Sequence, residues 1–320
     1  METKQINIIG YPIQKPALTV IFLILFFLFL TTSCTSEEHA EEAVSGVSLQ
    51  MKSVSTNLLS NTQLYVFAND HKFIRKQLNI SRNQDRLFTI MEAGYLNLVV
   101  LGCEEDISEN ITQPPSGILA GQYPMWKTPL KSDGEFLEQT PEIRYAALPV
   151  HIEENVTKSA SAILNRNVAR IQVILKDYNG FDEISGTHPL AYTELLDIPT
   201  TIMWDGKLSL ASENISEKPL REMLSFDSEG KADTVNFIVP AHLSSTIADT
   251  ITHKLRLKMS MPINNIAFHG KTPIEIPYTP QPNRNIQLVV TFRGEPPAKL
   301  DIQVSVKDWE DYIIQEETFD

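Results

Sequence analysis

The chain has 320 residues, with 27 basic against 40 acidic side chains and a formal net charge of −13. That balance argues against a nucleic-acid partner, because phosphates call for a basic face. Only two cysteines occur, Cys34 and Cys103, too few for a thiolate metal cluster.

In chain order, the first feature is an apolar run over 17–30, broken only by Thr19 and preceded by Lys4 and Lys15 against Glu2. At about 1.5 Å per residue it would span roughly 21 Å, short of the roughly 30 Å hydrocarbon core that a transmembrane helix must cross. Basic start, apolar middle and the small residues Thr31, Thr32 and Ser33 have the layout of a secretory signal. Cys34 directly after them resembles the bacterial lipobox, with Thr31 at the position where leucine is usual. Lipidation at Cys34 is therefore expected, with a signal peptide over 1–33. The remaining 287 residues then carry 25 basic and 39 acidic side chains, a net of −14.

Behind Cys34 come Ser36, Glu37, Glu38, Glu41 and Glu42. A like-charged stretch with few apolar residues does not fold, so 34–46 reads as a solvated acidic tether. The same residues resemble the Cys-Ser-acidic export signal of Bacteroides-type surface lipoproteins, and the two readings are compatible.

From residue 47 onward, period-two alternation recurs and helical periodicity is nearly absent. Val47, Leu49 and Met51 alternate with Ser48, Gln50 and Lys52; 64–67 is a continuous apolar run; and 87–91 leads through Gly94 into 95–101. Cys103 closes that last run and is expected to be a buried structural thiol, left without an intrachain partner if Cys34 carries lipid. Residues 104–142 hold five prolines and no clear period, as expected of a long loop or insertion over the first domain. Further strands are expected at 170–176, 234–239, 255–261, 286–292 and 302–306. Many short strands with polar outer faces predict an all-β protein of antiparallel β-sandwiches. The domain boundary is expected near Gly180–Gly186, giving an N-terminal sandwich over 47–182 and a C-terminal one over 183–320.

Catalytic signatures are missing: no HExxH, GxSxG, phosphate-binding glycine pattern or CxxC occurs, and no two of the seven histidines stand at metal-ligand spacing. The expectation is a protein that is not an enzyme and takes neither metal nor cofactor.

Several segments then converge on one family. The strand ending Leu64-Tyr65-Val66-Phe67, the run Gly94-Tyr95-Leu96-Asn97-Leu98-Val99-Val100, the stretch Leu164-Asn165-Arg166-Asn167-Val168-Ala169-Arg170-Ile171 and the closing Val304-Ser305-Val306-Lys307-Asp308-Trp309 resemble the fimbrillin superfamily of type V pili. Within it, the anchor-type fimbrial subunits of Bacteroides-like bacteria are most similar. The resemblance implies two tandem transthyretin-like sandwiches and partnership with fimbrillin subunits by donor-strand pairing. It also implies a lipid-anchored, surface-exposed place in the fimbrium at the outer membrane.

In stalk subunits of this superfamily a protease is expected to remove the first strand after a basic residue. Here 55–63 contains no arginine or lysine, and Lys52 lies inside the strand. An uncut strand favours an anchor over a stalk or tip subunit. Candidate strand-exchange residues are Val47, Leu49 and Met51 in the first strand and Tyr312, Ile314 and Phe319 in the tail. The competing reading is a surface lipoprotein that binds glycan or host protein, for which Trp126 in the proline-rich stretch is the candidate exposed aromatic.

Overall fold

Wherever a described segment alternates or runs apolar, the chain is extended and paired with a neighbour, because a strand that buries a face must also satisfy its backbone groups. The computed structural model describes residues 44–53, 59, 61–77, 81–83, 85–176, 192–224, 234–241, 255–263, 266–269, 273–276, 280–293 and 299–309. Twenty strands and two short 3₁₀ turns make up the regular structure of these residues, confirming the all-β expectation.

The first sheet holds β1 (Gly46–Lys52), β4 (Ser81–Asn83), β5 (Arg86–Ile90) and β9 (Thr157–Ile163), in the order β4-β5-β1-β9. Facing it is a sheet of β2 (Thr62–Ala68), β3 (Phe73–Lys76), β6 (Gly94–Gly102), β8 (Arg144–Ile152) and β10 (Asn165–Arg166), in the order β10-β8-β6-β2-β3. Val47, Leu49, Met51, Leu64, Val66, Leu87, Leu98, Val100 and Ile152 fill the core between the two.

The second sheet of that pair is buried on both faces. Tyr65, Phe67, Val99 and Leu101 point the other way, into a separate core with Ile107, Ile111, Met125, Trp126, Ile202 and Trp204. Two-sided burial is why 64–67 and 98–101 are continuously apolar where β1 alternates. The cover is the proline-rich stretch, as expected, joined by a later segment: β7 (Pro124–Lys127) pairs antiparallel with β13 (Thr201–Met203).

A second sheet pair follows the same plan. One sheet is β15 (Val235–Pro240), β11 (Val168–Lys176), β19 (Arg284–Arg293) and β20 (Lys299–Asp308), in that order. Its partner contains β14 (Leu220–Met223), β12 (Tyr192–Leu196), β16 (Arg256–Ile263) and β17 (Ile266–His269), with β18 (Ile274–Glu275) also on β16. Ile171, Val173, Leu195, Phe237, Leu257, Ile286 and Leu288 are buried between them.

Two corrections concern pairing. The sheets are not purely antiparallel, since β1 runs parallel to β9 and β11 parallel to β19. In each pair the opening strand lies beside a late one running the same way, an arrangement that alternation does not encode. Strand pairing also passes from the first sheet pair to the second between β10 and β11, ahead of the Gly180–Gly186 punctuation. Val168–Lys176 is thus the opening strand of the second pair. Turn residues mark where a chain bends, and sheet membership is set by which edge the next strand meets. From Ser45 onward the chain forms one compact unit.

Candidate functional site

The opening strand is the first candidate element. β1 lies between β5, antiparallel, and β9, parallel, so both its edges are paired from Gly46 to Gln50. Val47 and Leu49 are fully buried and Met51 nearly so, all three facing the first core. Gly46 admits no side chain: a Cβ there would stand 2.8 Å from the Thr89 carbonyl oxygen. At the far end the Leu164 amide donates to the Lys52 carbonyl at 3.0 Å, so this end of β1 is also held, with the Lys52 side chain exposed. Taking β1 away would unpair β5 and β9 and open an apolar groove, the kind of edge that another strand fills.

The other candidates fall elsewhere. Cys34, Ser36, Glu37, Glu38, Glu41 and Glu42 lie outside the described residues, as do Tyr312, Ile314 and Phe319.

Where the described chain ends, the structure joins residues that sequence reading left apart. Trp309, 4% exposed, lies under two guanidinium groups, with Arg166 4.6 Å and Arg170 4.9 Å from its ring centre. Its backbone N–H donates to the Asn283 carbonyl at 2.8 Å. Asn283 adopts φ 57°, in the left-handed region that asparagine tolerates. Its own N–H donates to the Val168 carbonyl at 3.1 Å, and its side-chain oxygen accepts from Arg166 Nη1 at 3.2 Å. Arg166 Nε in turn donates to Glu142 Oε2 at 2.8 Å. The signature stretch around Arg166 and Arg170 and the closing strand around Trp309 therefore meet at the passage between the two sheet pairs. Both segments were visible in sequence; their meeting was not.

Cys103 is buried as expected, and burial pushes its thiol up. Trp126 is a correction: it is 2% exposed, packed in β7 against the second sheet, and offers no surface platform for a glycan. The surrounding prolines hide the short covering strand that carries it. Among the described residues no three His, Cys, Asp or Glu side chains converge as a metal site would require.

The regular structure of the described residues is built almost wholly of paired strands. The model of the family described as fimbrillin-A associated anchor proteins Mfa1 and Mfa2 matches residues 41–314, and the chain belongs to that family. Comparison with curated protein sequences found no match. Among solved structures, the fimbrial anchor protein Mfa2 from Porphyromonas gingivalis aligns at 13% identity over 82% of this chain and 97% of that one, with a TM-score of 0.50. A protein from Bacteroides eggerthii proposed to act in cell adhesion aligns at 11% identity over 83% and 96%, with a TM-score of 0.53. Proteins from Bacteroides thetaiotaomicron proposed to bind polysaccharide align at 14% identity over 85% and 98%, with a TM-score of 0.50. At such identities these structures share the fold with this chain. Family membership makes it a fimbrial subunit of a family described as fimbrillin-A associated anchor proteins.

Proposed function

We propose that this subunit roots or terminates a fimbrium at the outer membrane. It is held there by lipid on Cys34 and joined to fimbrillin by donor-strand pairing. The observation that carries the reading is the first strand. β1 is fully integrated into its sheet, and the connection after it, 55–63, offers no basic residue to a trypsin-like processing protease. A subunit that keeps its first strand keeps the residues before it, and with them the lipid at Cys34. Among the described residues the place beside β5 and β9 is already filled by β1, which supports a joint made by giving a strand. The segment after Trp309, with Tyr312, Ile314 and Phe319, is the strand to give.

The test is the N-terminus of the protein recovered from outer membranes. Intact-mass and peptide analysis should find an acylated, blocked Cys34 still linked to Val47, Leu49 and Met51. A free N-terminus between Ser55 and Gln63 would restore a stalk role.

A further inference from the structure

A fibre subunit that gives its C-terminal segment to a neighbour is pulled through that segment. The final described strand is poorly placed to resist. Among the described residues β20 is an edge strand, and its ladder to β19 starts, at the C-terminal end, with the pair Arg284 and Asp308. Tension entering just past that end loads the hydrogen bonds one after another, so the strand peels. Arg284 and Asp308 form an exposed ion pair there, and exposed pairs contribute little.

What stands directly at this entry point is the buried cluster on Trp309. Its ring is held under Arg166 and Arg170, and its N–H is bound by Asn283. Asn283 is tied to the start of β11 through Val168 and to Arg166, which continues to Glu142 in the segment leading into β8. The Trp309–Asn283 bond extends the β19–β20 ladder by one rung, and the other connections lead on to the opening strand of the second sheet pair and to the first pair. Two guanidinium groups over one indole, that of Arg166 buried and that of Arg170 half-buried, make a strong form of cation–π contact.

We infer that the Arg166–Asn283–Trp309 cluster is a mechanical stop. Tension arriving from residues beyond Trp309 passes into both sheet pairs at this point, and β20 is shielded from peeling. The inference rests on the anchoring reading for the origin of the tension, while the property itself belongs to the isolated molecule.

The experiment holds the full mature chain in an optical trap along two axes. One runs from the N-terminus to a handle at residue 320. The other runs from the N-terminus to a handle on Glu154→Cys, at the exposed turn before β9, which leaves the cluster out of the line of force. At fixed load, Trp309→Ala should release β20 roughly ten-fold faster on the first axis and leave the second unchanged. Trp309→Phe, which keeps an aromatic face, should recover most of the wild-type rate. Arg166→Lys, which loses the planar fork, should behave like Trp309→Ala and serves in its place if that variant fails to fold. A wild-type release rate on the first axis in both Trp309→Ala and Arg166→Lys overturns the proposal. So does an equal acceleration on both axes, which marks a general packing role. Loss of the anchoring reading through a cleaved N-terminus is seen in a separate experiment and leaves this result interpretable.

Discussion

Gly206 shows how one residue joins distant segments. It adopts φ 78°, its carbonyl accepts from Asn167 Nδ2 at 3.2 Å, and a Cβ there would stand 3.0 Å from the Tyr145 ring. Gly206→Ala meets both a left-handed backbone and a ring whose hydroxyl is already fixed on the Trp204 carbonyl at 3.0 Å. It should destabilise the fold by about 1–3 kcal/mol, read as a lower Tm in thermal circular dichroism. Cys103 gives a second test at this scale. Burial raises its thiol and removes it from solvent, so alkylation of the Cys103 peptide by iodoacetamide should be slow in the native protein and fast in urea. Cys103 was readable because it ends an apolar run. Trp126 was not, because nothing in a proline-rich stretch reveals which face it covers.

At the scale of elements, β1 is where stability and function coincide. Leu49 faces the first core with no exposure and pairs with Leu87 on one side and Ala160 on the other. Leu49→Ala should cost about 2–5 kcal/mol and lower the urea midpoint of the whole transition, whereas Lys52→Ala at the exposed end should leave it nearly unchanged. Strands with large alternating residues, such as β1, β16 and β20, were legible from sequence. β9, Thr157–Ile163, was not: its inward residues on the core side include Ala160 and Ala162, too small to stand out against Ser159 and Ser161. β8 was obscured by Pro149, which a central position would forbid. The strand tolerates it because beyond β10, which covers only Arg144 and Tyr145, its outer edge carries no paired strand among the described residues.

At the scale of the molecule, the proposed joint to the fibre makes the tail dispensable for folding and needed for attachment. Deleting residues 312–320 leaves every described strand intact, so the circular dichroism spectrum and Tm should match the wild type. Fimbriae should then be shed from the cells, measured as fimbrillin in the culture medium. Fimbriae retained by a correctly folded deletion variant would place the joint elsewhere. The two sheet pairs meet through segments far apart in sequence. β7 pairs with β13, the Thr128 hydroxyl donates to the Thr200 carbonyl at 3.3 Å, and Leu137 packs with Leu220 in the core of the second sheet pair.

Composition and alternation by themselves determined an all-β chain with polar outer faces, because the side-chain period of two is written directly into the residues that must alternate between core and water. The family resemblance marked the stretch that carries Arg166 and Arg170, and alternation marked the strand that leads to Trp309. Only the tertiary structure decided that β1 lies parallel to β9, that Val168–Lys176 opens the second sheet pair, and that the two marked segments meet over one indole ring. Those are facts about which strand edges and which buried charges become neighbours. Such contacts are selected by the packing of the whole chain, across separations that a local pattern does not register.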